Sequence, residues 1–338
     1  MNARISEKLR IDPARRARVG IVIGDANGIG PEVVAKSWQS GLLHEACLPV
    51  LIGSAAAMER AVAALGMDVG VRAIAGPDEA RFDPKVMDVI DSGALDPAAI
   101  TPGRDTAASG RAVGVWLDEA DRLARAGALG ATVMAPVSAV ALEMAGMLDR
   151  IVSVKPGENY LVLFSGALRI THLTDHVPLR EVSGMINKDL IALTLRKMDA
   201  ALRQWGIAAP RIAVAGFNPH AKGTEDSEEI APGVAAAKRE GIDVTGPVSP
   251  DSVFRHCLEG RYDMVLAMYH DQGHIAIKTA GFSGNVAVFL GPPYPQVTVA
   301  HGTAYDIVGR GIADHSMVLN AILTAGSLAA GNAFPDLH

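Results

Sequence analysis

At 338 residues, 49% hydrophobic and 4% aromatic, the chain is long enough for two domains of ordinary size rather than one core. Its 31 Lys and Arg against 37 Asp and Glu give a net charge of -6, which excludes an overall attraction to nucleic acid or to an anionic membrane surface. No run approaches the roughly 20 apolar residues of a membrane helix, and the Arg-rich opening leads into a strand-like run instead of a signal-peptide core.

In chain order, residues 1–17 read as a solvated tail. Strands are expected at Val19–Ile23, Leu48–Ile52, Val71–Ala75, Ala131–Ala135, Leu161–Phe164, Leu168–Leu173, Arg211–Ala215, Met264–Met268 and Val286–Leu290. Helices are expected at Pro31–Gln39, Ala55–Leu65, Ala108–Ala126, Lys188–Trp205, Ser227–Glu240 and Ser316–Ala329. The segment Pro77–Arg104, with several Pro, Gly and Asp, reads as connection or edge elements. This alternation predicts an α/β fold with mostly parallel sheets. Several strands are apolar throughout, as when both sheet faces are covered. No long linker appears, so two domains sharing strands and a cleft are expected. Cys47 and Cys257 are too far apart for a disulfide framework or zinc ribbon and point to a reducing cytoplasm.

Four motifs could carry chemistry. Gly24–Glu32 (GDANGIGPE) is a strand-to-helix turn in which Pro31 suits the first helical position and Glu32 the positive helix end. It has neither the dinucleotide fingerprint nor the P-loop order. His176, His220 and His270 each fall just past an expected strand, at the sheet edge where parallel α/β proteins bind ligands. One such histidine would read as structural, whereas three could ligate one divalent metal. His270–Lys278 (HDQGHIAIK) adds Asp271 and Lys278; an amine near a metal can serve as acid or base, against the plain reading of a surface ion pair. His301–Asp314 (HGTAYDIVGRGIAD) has an uncrowded backbone suited to a flat ligand, with Asp306 as an acceptor.

Together with DHVPLREV, GFNPHA and GPVSPDSVF, these motifs resemble the 4-hydroxythreonine-4-phosphate dehydrogenase family of pyridoxal phosphate biosynthesis, in order and spacing from about residue 18 to 315. The first and last motifs also resemble the wider isocitrate and isopropylmalate dehydrogenase superfamily. The resemblance implies a two-domain fold of that type, not a Rossmann fold, with residues 1–135 plus 285–338 in one domain and 136–284 in the other. It implies oxidation of a β-hydroxy acid with hydride passing to NAD or NADP, and possible decarboxylation. It also implies a divalent metal (Zn, Co, Mn or Mg) on His176, His220 and His270, with imidazole favouring Zn or Co. Lys278 would contact substrate and move a proton, with Asp271 in the relay. His301, Gly302, Thr303, Ala304, Asp306 and Gly309 would bind the cofactor. A cytoplasmic homodimer with a shared active site is implied, with no nucleic-acid or membrane partner.

The departures fall on the substrate side. The family's Gly-His-Thr-Glu segment is replaced within Leu148–Leu163, its strand Asn is Ala287 with Asn285 two residues earlier, and its Arg is Gln296. Ala300 and Ala139 stand where the family has Asp and Lys. Each lost charge-assisted donor removes about 1.5–3 kcal/mol of phosphate binding. The expected substrate is therefore an altered hydroxy acid, with a dicarboxylate dihydrodiol first among the alternatives. The orthodox enzyme, with phosphate on Arg150 or Lys155, and a non-catalytic binding paralogue are the competing readings.

Overall fold

The computed structural model describes residues 11–151, 154–280 and 286–337. From the N-terminus, β1 (Arg18–Val22) leads to α1 (Gly30–Gln39), β2 (Leu48–Ile52), α2 (Ala55–Ala64), β3 (Gly70–Ile74), β4 (Val86–Ile90), α3 (Ala107–Arg125) and β5 (Ala131–Met134). There follow β6 (Tyr160–Ser165), β7 (Leu168–His172), α4 (Lys188–Gln204), β8 (Ile212–Ala215), β9 (Val244–Val248), β10 (Met264–Ala267), α5 (His270–Ala280) and β11 (Val286–Leu290). The chain ends with β12 (Gln296–Val299) and α6 (Ser316–Ala329). Side-chain oxygens start three of the helices. Ser54 accepts from the Ala57 N–H, Thr106 from Ser109 and Asn187 from Leu190, each satisfying an otherwise orphaned donor.

The chain forms two compact units. The first runs to Ser153 and resumes over Pro293–Leu337; the second is Val154–Pro292. The stretch after residue 135 stays with the first unit because its short helix Ala139–Met144 packs against α3. The fit there is close: a Cβ built on Gly110 of α3 would lie within bonding range of the Ala141 carbonyl.

In the first unit the strand order is β3-β4-β2-β1-β5-β12, every pair parallel. This is not the doubly wound dinucleotide-binding order. β1 is buried on both faces, with the adjacent Ile21 and Val22 inaccessible, as expected for a covered parallel sheet. α6 is apolar on nearly every face and correspondingly buried from Val318 to Leu328, apart from half-buried Asn320. β4 corrects the reading of Pro77–Arg104 as connection or edge: it lies between β3 and β2. Its Asp88, a residue that masks a strand pattern, is buried and accepts from the Arg72 guanidinium at 2.6 Å and the Arg81 N–H at 2.7 Å. The tail is also corrected where it is described. Ile11 is buried, Arg15 donates to the Ala330 carbonyl, and Arg16 donates to that of His44; residues 1–10 lie outside the described residues.

In the second unit the order is β11-β6-β7-β10-β8-β9. β11, β6 and β7 pair antiparallel, and β7, β10, β8 and β9 run parallel. Leu168, Ile170, Ala213, Val265 and Ile277 meet in its core. Full burial of each large aliphatic side chain is worth about 1.5–3 kcal/mol. β9 and β12 escaped the sequence reading because Gly246-Pro247 and Pro295 interrupt or abut the apolar runs. Both cysteines are free and buried. Among the described residues no helix is long and apolar enough to cross a membrane.

Candidate functional site

The second unit explains why three histidines follow three strands. β7, β10 and β8 are side by side and parallel, so their carboxyl ends deliver His176, His270 and His220 to one edge. His270 opens α5, a helix the sequence reading missed. One-turn spacing puts His270, His274 and Lys278 on one face of it. The His270 and His274 rings stack with centroids 3.7 Å apart, and His274 stacks on His172 at 4.8 Å. His176 stands 4.9 Å from His270. Burial, reinforced by neighbouring histidines, holds His172 well below the usual imidazole range, and burial brings His274 down to about 4. The Gly in HDQGH follows from this stack: a Cβ on Gly273 would lie 2.3 Å from His172 Nε2.

Each of the three ligand candidates has an aspartate on its Nδ1 side. Asp271 Oδ1 is 2.7 Å from His270 Nδ1, Asp175 Oδ2 is 3.0 Å from His176 Nδ1, and Asp251 Oδ2 is 3.9 Å from His220 Nδ1. A carboxylate on one ring nitrogen orients the imidazole and frees the other for a metal, so the donor chemistry fits a divalent ion. Asp271 thus faces His270. The structure brings His176 and His270 together but leaves His220 apart. Among the described residues no three His, Cys, Asp or Glu side chains are gathered as a metal shell. A cavity of about 380 Å³ opens beside the pair, lined by Asp175, His176, Leu179, Tyr269, His270 and Asp271. Lys278 is exposed near the end of α5.

Two residues that the sequence reading passed over shape this edge. Gln272 accepts from the Met268 N–H at 2.7 Å and donates to the Gly216 carbonyl at 2.8 Å, tying the ends of β10 and β8 together. Buried Asp226 accepts from the N–H groups of Phe217, Asn218 and Gly223 and from the Asn218 amide. It thereby clamps the loop in which His220 and Ala221 hold φ of 57° and 55°, a region costly for residues with a Cβ.

In the first unit, the Gly24–Glu32 turn supports the expected cofactor loop. The Thr303 carbonyl accepts from Ile29 N–H at 3.0 Å, and Glu32 accepts from the Ala313 N–H at 2.9 Å and from Lys36 at 2.8 Å. Lys36 also donates to the carbonyls of Gly311 and Ala313. His301 Nδ1 lies 3.0 Å from the Gly302 carbonyl, Thr303 is buried, and Ala304 takes a left-handed φ of 42°. Asp306 is exposed, and Gly309 lines a largely apolar cavity of about 170 Å³ with Gly28, Glu32, Arg60, Leu65 and Ile100. Behind the loop, the Tyr305 hydroxyl lies 2.8 Å from Asp25 Oδ2 and 2.9 Å from Asp105 Oδ1. Asp25 and Tyr305 each fall in a motif singled out by the sequence, but no sequence signal joins them to each other or to Asp105.

Of the substrate residues, Gln296 opens β12 opposite Thr132, and Ala287 is buried in β11. Asn285 lies outside the described residues. Arg150 is engaged by Asp118 at 2.8 Å and by Asp149, and exposed Lys155 stands 4.0 Å from Glu158. Neither lines the cavity beside the histidines.

Fold and pockets together define an α/β protein with cavities near the carboxyl ends of parallel strands, the edge at which such proteins bind ligands. Residues 45–325 match the family model described as pyridoxal phosphate biosynthetic protein PdxA. A Novosphingobium aromaticivorans protein, provisionally named a 4-hydroxythreonine-4-phosphate dehydrogenase, is 55% identical over 94% of this chain and 97% of its own. The D-threonate 4-phosphate dehydrogenase of Cupriavidus necator is 36% identical over 93% and 98%. Among solved structures, a 4-hydroxythreonine-4-phosphate dehydrogenase from Burkholderia phymatum superposes with a TM-score of 0.84 at 34% identity, covering 93% of this chain and 98% of that one. A terephthalate 1,2-cis-dihydrodiol dehydrogenase from Burkholderia xenovorans gives 0.69 at 29%, covering 92% and 98%. The chain belongs to the PdxA family, whose relatives named here are dehydrogenases.

Proposed function

We propose that this protein is an NAD(P)- and divalent-metal-dependent dehydrogenase that oxidises a β-hydroxy acid, with decarboxylation possible on the β-keto product. The carrying observation is the pair His176 and His270, 4.9 Å apart and each oriented by an aspartate, beside a cavity and on the same edge as His220. His176, His270 and His220 would hold the metal, and the soft imidazole set favours Zn or Co over Mg. Bound there, the metal supplies Lewis acidity at the substrate oxygens. Asp175 and Asp271 keep the imidazoles in the ligating tautomer. Lys278, two turns along α5 from His270, moves the substrate proton. The loop His301–Gly311 binds the dinucleotide, which accepts the hydride. Leu179 and Ile275 are 63% and 66% exposed beside the histidines, which supports a homodimer whose second subunit covers this edge.

The substrate is an altered hydroxy acid, on the observation that Arg150 and Lys155 have carboxylate neighbours and lie outside the cavity lining. The orthodox reading, 4-phosphohydroxythreonine, is favoured by the name of the 55% identical relative. One assay separates them: metal-loaded protein, dinucleotide reduction followed optically, and 4-phosphohydroxythreonine and D-threonate 4-phosphate run beside unphosphorylated hydroxy acids and carboxylated dihydrodiols. Turnover confined to a phosphorylated acid refutes the altered-substrate reading. Turnover of none, by protein with confirmed metal and dinucleotide binding, refutes the dehydrogenase.

A further inference from the structure

The Asp25–Tyr305–Asp105 network has a hydrogen count that its geometry does not satisfy with both carboxylates ionised. Tyr305 carries one hydroxyl hydrogen, yet its oxygen lies within hydrogen-bond range of two carboxylate oxygens, at 2.8 and 2.9 Å. A second hydrogen must sit on one of the carboxyls, or two lone pairs face each other at close range. The remaining bonds supply no positive charge. Asp25 Oδ1 accepts from the Asn27 N–H at 2.8 Å, Ser109 Oγ lies 3.3 Å from Asp25 Oδ2, and Ser138 is bonded to Asp105. Asp25 is wholly buried. Burial raises its carboxyl above the ordinary range, opposed by the Asn27, Tyr305 and Ser109 hydrogen bonds and helped by Asp105.

The network joins parts distant in sequence. Asp25 belongs to the Gly24–Glu32 turn, Asp105 precedes α3, Ser138 caps the helix Ala139–Met144, and Tyr305 starts the 3-10 turn Tyr305–Ile307. That turn lies inside the loop whose Gly309 lines the apolar cavity.

We propose that Tyr305 is a positioning residue for dinucleotide binding, held by a hydrogen shared among its hydroxyl and the carboxyls of Asp25 and Asp105. This rests on the reading of His301–Gly311 as the cofactor loop. With the hydrogen present, the 3-10 turn is pinned against the Gly24–Glu32 turn and the loop is ready to bind. As pH rises through the raised Asp25 value the hydrogen leaves, the carboxylates repel across the phenol, and the loop is released.

The test is NADH and NADPH binding to metal-free, full-length protein by calorimetry, across a pH series, with the thermal midpoint recorded. Wild type is expected to bind one of them more weakly as pH rises. Tyr305→Phe should weaken binding about tenfold, the loss of a charge-assisted hydrogen bond. Asp105→Asn supplies a permanent donor, so it should keep wild-type affinity and flatten the pH dependence. Unchanged affinity in Tyr305→Phe, or a loss in Asp105→Asn as large as that in Tyr305→Phe, overturns the proposal. Should Tyr305→Phe fail to fold, the pH response of Asp105→Asn decides alone. If wild type binds neither dinucleotide, the cofactor-loop reading itself fails.

Discussion

Replacing Asp226 by Ala isolates the device that holds His220. The carboxylate accepts four hydrogen bonds, at 2.8, 3.2, 2.9 and 3.0 Å, three of them from backbone N–H groups. Its side chain is almost fully buried, so no water stands ready to replace it. An orphaned donor costs about 1–3 kcal/mol, and such costs within one network are not additive. A loss of about 3–5 kcal/mol in unfolding free energy is therefore expected from urea titration. The strained His220–Ala221 backbone should relax in the variant, and zinc affinity measured by chelator competition should fall more than the stability loss alone explains. Glu225→Ala is the control: that partly exposed side chain accepts from Ser183 at 2.6 Å and Asn218 at 2.9 Å and should cost less than about 1 kcal/mol. A loss below about 1 kcal/mol in Asp226→Ala, or zinc binding equal to wild type, refutes the clamp.

Three further predictions are independent of it. Gly110→Ala must push α3 away from the Ala141 carbonyl, so overpacking of about 1–3 kcal/mol should exceed the gain in helix propensity, read as a lowered thermal midpoint. Asp271→Asn should leave the fold intact and weaken metal binding about 10- to 100-fold, because His270 loses its orienting carboxylate; chelator competition checks it. His44 is packed edge-on against Trp38, and burial lowers it from 6.5 to about 4. The folded state then binds fewer protons, so this stability is present above about pH 6.5 and lost as pH falls towards 4. His44→Gln should flatten unfolding free energy over that window, and an unchanged slope counts against the assignment.

Leu48–Ile52, Val286–Leu290 and Ser316–Ala329 are found as expected, because the two strands are continuous apolar runs and the helix is a long, mostly apolar stretch with clear bounds. β4 was missed because Asp88 breaks its apolar pattern, and only the partner Arg72, on the neighbouring strand, makes that burial tolerable. α5 was missed because its first turns, with two histidines, an aspartate and a glycine, have weak helix propensity; its stacked rings and its packing on β7 supply what propensity does not.

Local chemistry is legible in one dimension, so the residue order alone determined the α/β class, the histidines at strand ends, the glycine-rich turn and the family. Proximity is not. That β7, β10 and β8 are neighbours, that His172 and His274 stack under His270, and that Tyr305 meets two aspartates far away in sequence are decided by strand order and burial, because a hydrogen bond or ring contact depends on ångström distances that only the packed chain sets.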